Sequence, residues 1–460
     1  MATKKQKILV LSPVGGNTNG ADVALNHQLE YLSALNYEIF LVVNNFNLGD
    51  FQEFLSKNNI KVYQMEYSWW NDDNLNNFDE IIKNKIAVAK LIEIIKQEKI
   101  DIAISNTINV PQLAIAAKET NIPNIWLIHE FPDGEFAFTK KVYKFIDQYS
   151  SKILAVGPRL ADELNKLVKQ KVDFFYPYTK TPAIIKNNSN QFSGRIISVN
   201  AITGDNKNTF ELVKIFAELQ KKYPNFQLFI SGGIFNRDYF NQIEKYIKLN
   251  KIKNITFTND FENNWKDINE NDIFVNTSKM ETFSLTLSET IKNGMVTVVS
   301  NNRGFLTNKD LKFIDSTDIY KLGNIEDAVK KISHKIDNFA KEKQKAKKHQ
   351  ELFLSQMSLD KLVQPVLKAI KNIKKPADDF HPFINEFAAI KQVYEDKKIF
   401  QYKFKEAKEL NFQLNEEGKV LKGEIKDRDK HIESLISIID TMQNRKVVKI
   451  ADAINKVIKK

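Results

Sequence analysis

The chain reads as an α/β protein of two successive doubly wound, Rossmann-like halves followed by a helical extension. Three observations carry that reading. Short apolar runs such as Lys7-Ile-Leu-Val-Leu11 are continuous rather than alternating, as in strands buried on both faces of a parallel sheet. Such runs are followed by segments with helical spacing of their apolar residues. The strand–helix alternation pauses at a Pro-, Asn- and Thr-rich stretch, residues 176–190, and restarts at Arg195.

With 460 residues there is room for two or three domains. Cysteine is absent, which excludes disulfides and thiolate metal sites. The first residues run straight into a strand without the apolar region of a signal peptide. No apolar stretch reaches the roughly 18–20 residues of a membrane helix. A cytoplasmic protein is expected. The net charge of +11 permits an anionic ligand, an anionic membrane or nucleic acid and selects none of them.

The first half, residues 1–178, opens with a strand at 8–11, a glycine-containing loop at 12–20, a helix at 21–35 and a strand at 39–43. This βαβ order implies a right-handed crossover. Gly16 and Gly20 allow a ligand to approach the backbone closely. The loop lacks the dinucleotide fingerprint, and Val43-Asn-Asn45 lacks the acid a nicotinamide nucleotide needs. Trp69 and Trp70 stand among Ser, Asn and Asp, where exposed aromatic faces suit a sugar ring; capping of the sheet edge is the alternative. After a long helix to Gln97 come strands at 100–105 and 124–129, the latter ending at His129. C-terminal strand ends face the ligand crevice in such sheets. Asp133 belongs to the loop that follows, and another strand lies at 151–156.

In the second half, residues 179–350, strands fall at 195–199, 226–230, 255–257, 272–276 and 295–299. Helices fall at 210–219, 239–249 and around Trp265, with another at 325–332. The most informative stretch is Glu281-Thr-Phe-Ser-Leu-Thr-Leu-Ser-Glu289, between a strand with a polar turn and a helix that stops at Gly294. Phe283, Ser284 and Leu285 would set backbone N–H groups at a helix N-terminus, an anion site suited to a diphosphate.

This strand–turn–Glu–helix–Gly–strand pattern resembles the E-x7-E element of family 4 retaining glycosyltransferases, which have the GT-B fold of two Rossmann-like domains facing across a cleft. The resemblance spans residues 7–372, with Ser284 in place of the family's customary Gly. It implies transfer of a sugar from a nucleotide-diphosphate sugar to an acceptor hydroxyl with retention, without metal, cofactor or nucleic acid. By the same resemblance His129 and Glu281 lie at the reaction centre, and Glu289 meets the donor ribose. Gly16, Gly20, Phe283, Ser284 and Leu285 complete the donor site. Lys207, in Thr203-Gly-Asp-Asn-Lys-Asn208, neutralises the diphosphate. The family's companion Arg would fall at Asn200 or Ala201 and is missing; Arg195, Arg237 and Arg303 are the candidate substitutes. Trp69, Trp70 and Asp133 are assigned to the acceptor, expected to be a cell-envelope glycan, glycopolymer or lipid-linked precursor. Residues 351–375 hold the helix that returns to the first domain. The competing readings are a catalytically inactive GT-B protein that binds a glycan or partner enzyme, and a GT-B epimerase or phosphorylase.

Residues 376–460 lie outside the resemblance. Leu414, Leu421, Ile425, Ile432, Leu435, Ile438 and Ile439 approach the spacing of a coiled coil or hairpin, a route to a homo-oligomer. Beyond them Arg445, Lys446, Lys449 and Lys456 flank an apolar helical face, a pattern suited to an anionic membrane surface or to packing on protein. Peripheral association with the inner membrane face is therefore expected.

Overall fold

The computed structural model describes residues 5–375 apart from 17–18, 45, 71–77, 135, 138–141, 188, 190 and 261–263, together with 418 and 421–441. The chain divides into two units, Met1–Asn385 and Glu386–Lys460.

The first unit carries two lobes. The first lobe runs β1 (Lys7–Leu11), α1 (Gly20–Ala34), β2 (Glu38–Val43), α2 (Phe51–Lys57), β3 (Lys61–Gln64), α3 (Phe78–Glu98) and β4 (Ile102–Asn106). It continues with α4 (Gln112–Glu119), β5 (Asn124–Ile128), α5 (Tyr143–Tyr149), β6 (Lys152–Val156), α6 (Gly157–Leu164) and β7 (Asp173–Phe175). The second lobe runs β8 (Arg195–Val199), α7 (Thr209–Lys222), β9 (Gln227–Ser231), α8 (Arg237–Leu249), β10 (Ile255–Phe257), β11 (Ile273–Asn276), α9 (Leu285–Lys292) and β12 (Val296–Ser300). There follow α10 (Arg303–Asp310), β13 (Ile319–Tyr320), α11 (Ile325–Asp337), α12 (Phe339–Gln356) and α13 (Leu359–Asn372).

The sheet orders are β3-β2-β1-β4-β5-β6-β7 and β10-β9-β8-β11-β12-β13, with parallel pairing throughout. Winding reverses between β1 and β4 and again between β8 and β11. Loops at the C-terminal ends of those strands diverge to opposite faces and leave a crevice, the usual ligand position in open α/β sheets. The reversals therefore bring together loops 12–20 and 107–109 in one lobe, and 200–208 and 277–284 in the other.

Strands β1, β4, β5 and β12 are buried almost throughout, which explains their unbroken apolar runs. Strands β3 and β7, absent from the sequence reading, are sheet-edge strands of four and three residues with partly exposed side chains. The helix expected around Trp265 is a run of turns instead. Leu362, Val366 and Ile370 of α13 are buried in one apolar cluster with Leu25, Leu29 and Phe175, so the last helix packs onto α1 and β7 of the first lobe.

In the second unit residues 421–441 are helical. This helix carries Leu421, Ile425, Ile432, Leu435, Ile438 and Ile439 of the expected coiled coil, while Leu414 lies outside the described residues, as do Arg445, Lys446, Lys449 and Lys456. No helix among the described residues is long and apolar enough to cross a membrane.

Candidate donor and acceptor site

Loop 203–208 and turn 277–281 are zipped together. Thr277 Oγ1 donates to the Asn208 carbonyl at 2.9 Å, and Lys279 N–H donates to the Asn206 carbonyl at 2.8 Å. The result joins residues 74 positions apart: Lys207 Nζ lies 2.8 Å from Glu281 Oε1. The pair is only partly exposed, 27% for the lysine side chain and 12% for the glutamate.

Ser284 caps α9. Its Oγ accepts from Leu287 N–H at 3.3 Å, and its backbone has φ 72° and ψ 104°. Few residues other than glycine hold that conformation, so a Gly would suit this place. The N–H groups of Leu285 and Thr286 have no acceptor among the described residues. Leu285 also meets the other lobe: a Cβ built at Gly20 would stand 3.5 Å from Leu285 Cδ1. The N-termini of α1 and α9 thus converge, and their positive ends favour an anion between them.

Gly304 permits the close approach of α10 to this turn. A Cβ there would stand 2.6 Å from the Glu281 carbonyl oxygen and 2.9 Å from Thr282 C. Phe283 is buried against Tyr176, ring centroids 5.1 Å apart.

Glu289 points to the interlobe linker. One carboxylate oxygen accepts from Thr179 Oγ1 at 2.6 Å, the other from Trp265 Nε1 at 3.0 Å. Burial pushes this carboxyl up to about 7. Lys292 lies beside it, donates to the Thr179 carbonyl and stands 4.1 Å from the Tyr178 ring centroid. Burial lowers this lysine to about 8.

In the first lobe His129 follows β5. Its Nε2 is 2.8 Å from Asn106 Oδ1, and its ring meets Phe175 edge-on at 5.6 Å. An amide oxygen can only accept, so Nε2 carries the proton. Burial lowers the imidazole to about 4, and it is neutral at physiological pH. The His129 carbonyl accepts from Thr282 Oγ1 at 2.6 Å, which ties the histidine to the Glu281 turn across the lobes. Glu130 accepts from the N–H groups of Ile108 and His129, both at 3.0 Å, and burial raises it to about 7.

Asp22 organises the glycine loop. It accepts from Ser12 Oγ, from Gly15 N–H at 3.1 Å and from Asn19 Nδ2 at 2.7 Å, while Asn19 Oδ1 caps Asp22 N–H at 2.9 Å. The Gly16 carbonyl accepts from Asn26 Nδ2 at 2.8 Å. Trp69 is 41% exposed, and its Nε1 donates to the Pro13 carbonyl at 3.0 Å, which sets its indole against this loop. Trp70 does not have the exposed position expected of it. It is 7% exposed, packed against Trp126 and Phe145 with centroids 6.2 and 5.2 Å away, because the first lobe's apolar interior takes in that ring.

None of the three candidate arginines pairs with the Lys207 loop. Arg195 begins β8, at the strand end away from the crevice, and holds Asp272 at 2.7 Å. Arg237 reaches Glu244 at 3.9 Å from an exposed position. Arg303, at the start of α10, crosses to the first lobe: it pairs with Asp133, lies 2.7 Å from Glu163 and stacks 3.7 Å from the Phe131 centroid. Asp133 is therefore engaged by an interlobe cation.

Asp22, Thr282 and Arg303's interlobe role were not picked out from the sequence. Asn19 and Asp22 form an N-cap pattern that is legible there; the others act through contacts between distant segments. No group of three or more His, Asp or Glu side chains among the described residues is placed to hold a metal ion.

Residues 180–332 match the family model of glycosyl transferases group 1. No curated protein sequence matches the chain. Several solved structures share the fold. A glycosyltransferase from Rickettsia africae ESF-5 is 18% identical with TM-score 0.60, covering 81% of this chain and 99% of that one. Anabaena Alr3699/HepE in complex with UDP and glucose is 15% identical with TM-score 0.63, covering 80% and 100%. A variant of S. aureus TarM in complex with Fondaparinux, alpha-GlcNAc-glycerol and UDP is 13% identical with TM-score 0.58, covering 79% and 99%. The two facing parallel α/β lobes are those of the GT-B architecture.

Proposed function

We propose that the protein is a retaining glycosyltransferase of the GT-B type. It moves a sugar from a nucleotide-diphosphate sugar to a hydroxyl of a cell-envelope glycan, glycopolymer or lipid-linked acceptor. The observation that carries this reading is the convergence of Lys207, Glu281 and the α9 N-terminus with α1 and His129 at the two switch points. The group 1 match over 180–332 and the UDP and glucose bound to the Anabaena relative support the donor class.

In this reading the diphosphate lies between the ends of α1 and α9 and takes Lys207. These positive groups stabilise the charge that grows as the bond from the anomeric carbon to the diphosphate breaks. The acceptor oxygen attacks from the same face, and its proton passes to the departing phosphate oxygen. Neutral His129 donates from Nε2 to Asn106 and offers its other nitrogen and its ring to the sugar. Glu281 stands beside the sugar, and Glu289 reaches the ribose by exchanging Thr179 or Trp265. Trp69 and the glycine loop border the acceptor. Transfer needs no metal, so EDTA leaves the rate unchanged. The basic end carrying Arg445, Lys446, Lys449 and Lys456 holds the enzyme on anionic lipid. Equal vesicle co-sedimentation by the full chain and a version ending near Met442 would remove that role.

One observation favours the inactive alternative: the positions of the missing arginine hold Asn200 and Ala201, and no other arginine among the described residues pairs beside Lys207. Incubation with a panel of nucleotide sugars decides, read as release of nucleotide diphosphate and product anomer. Transfer should occur with at least one donor and be lost in Glu281→Ala and Lys207→Ala. Absence of both turnover and nucleotide binding with every donor overturns the enzyme reading.

A further inference from the structure

Leu421, Ile425, Ile432, Leu435, Ile436, Ile438 and Ile439 of helix 421–441 are each 46–57% exposed, so nothing among the described residues covers them. A helix draws most of its stability from packing an apolar face, and this one has no partner among the described residues. The positions follow a heptad. Ile425, Ile432 and Ile439 recur every seventh residue as a positions, and Leu421 and Leu435 fall at d. Ile at a with Leu at d is the combination of two parallel strands. Ile436 and Ile438 widen the same seam.

We propose that this helix forms a parallel, in-register coiled coil with a second copy of the chain. The charges fix the orientation. Arg428 occupies the remaining d position, and in a parallel pair a d side chain lies beside the neighbour's e position, here Asp429 of the partner subunit. Asp427 is engaged within its own helix by Lys430 at 3.9 Å, and neither Arg428 nor Asp429 has an ion pair among the described residues. Two symmetric Arg428–Asp429 pairs would then close the one polar layer. An antiparallel pair instead sets Arg428 against an isoleucine layer, leaving a charge desolvated without compensation. A single polar core layer of this kind selects register. This inference stands apart from the transferase reading, because it uses no residue of the site.

The chain has no cysteine, which makes the test direct. In full-length protein, Ile432→Cys introduces a lone thiol at a core layer, and Lys426→Cys introduces one on the outer face. Parallel in-register packing brings the first pair within the roughly 7 Å Cα separation that a disulfide needs. Mild oxidation should convert Ile432→Cys almost wholly to a linked dimer and leave Lys426→Cys mostly single. Light scattering on the unmodified chain at tens of micromolar should give twice 53.2 kDa, and Ile432→Asp should return it to the single-chain mass with the melting of the lobes unchanged. A single-chain mass for the unmodified protein overturns the proposal, as does equal linking of both cysteine variants. If the unmodified protein is single in solution and Ile432→Asp abolishes binding to phosphatidylglycerol vesicles, the face belongs to lipid and the proposal fails.

Discussion

Glu281→Gln should tighten the binding of nucleotide diphosphate while it slows transfer. Lys207 and Glu281 pair at 2.8 Å, so a diphosphate that takes Lys207 competes with a carboxylate for the same ammonium. At an effective dielectric of about 20, two unit charges at about 4 Å attract by about 4 kcal/mol before desolvation and side-chain entropy are counted. Exposed pairs retain only about 0–1 kcal/mol of this net, and the modest exposure of this pair puts it at the upper end. Glutamine keeps the shape and an acceptor oxygen but removes the charge that holds Lys207 and repels phosphate. A gain of about 1 kcal/mol is about a fivefold fall in Kd. Isothermal titration of each variant with the product nucleotide measures it, and Lys207→Met in the Glu281→Gln background should abolish the gain. Unchanged or weaker binding in a well-folded Glu281→Gln protein would refute the assignment of Lys207 to the diphosphate.

Gly304→Ala should cost about 1–3 kcal/mol of stability, the range of an overpacked contact, because its Cβ would meet the backbone of Glu281 and Thr282 at 2.6–2.9 Å; thermal melting and nucleotide titration should both weaken. Ser284→Gly should stabilise: it relieves about 1–3 kcal/mol of backbone strain at φ 72° and loses a few tenths of a kcal/mol of capping. The resulting rise of about 2–4 °C in Tm is readable by calorimetry, and a fall would show that the cap dominates. His129 should titrate near 4 rather than its usual 6.5, with its ring signals identified by their loss in His129→Gln. Because the folded value is depressed, its share of stability is complete above pH 6.5 and is lost as pH falls through 4; a midpoint near 6.5 contradicts the desolvation of the ring.

Much of the fold was written in the sequence because buried parallel strands are continuous apolar runs, and β1, β4, β5 and β12 are buried along nearly their whole length. Strands β3 and β7 escaped notice because edge strands lose that pattern, being short and partly exposed. Trp265, expected in a helix, sits in a turn where its indole N–H serves Glu289. Among candidate site residues, Lys207 and Glu281 were singled out by the resemblance of their loops to the family's, and the structure brings the two side chains together at 2.8 Å. The contacts that join the lobes were not legible. Thr282 to His129 spans 153 positions and Arg303 to Asp133 spans 170, and local pattern holds no record of such pairings. Trp70 misled because its sequence neighbours are polar while its ring faces inward onto Trp126.

Three charged groups of the second lobe are already engaged. Lys207 is held by Glu281, Glu289 by Thr179 and Trp265, and Arg303 by Asp133 and Glu163 of the first lobe. In the proposed reading a donor therefore exchanges partners instead of meeting bare charges, and its affinity is a difference between two sets of contacts. That changes what a missing arginine means. Where Lys207 already has a carboxylate, an additional arginine beside it would need its own counter-charge or would carry a desolvation cost. A site with one lysine and two helix ends instead draws most of its anion attraction from backbone dipoles, which need no counter-charge. The proposed reading therefore expects weak nucleotide binding with strong dependence on Lys207. Arg303 serves the interlobe contact: its guanidinium, stacked on Phe131 and shared by two carboxylates, ties α10 to the loop that follows β5. Through Gly304, the next residue, that same helix abuts the backbone of Glu281, so the position of Glu281 is coupled to the contact between lobes.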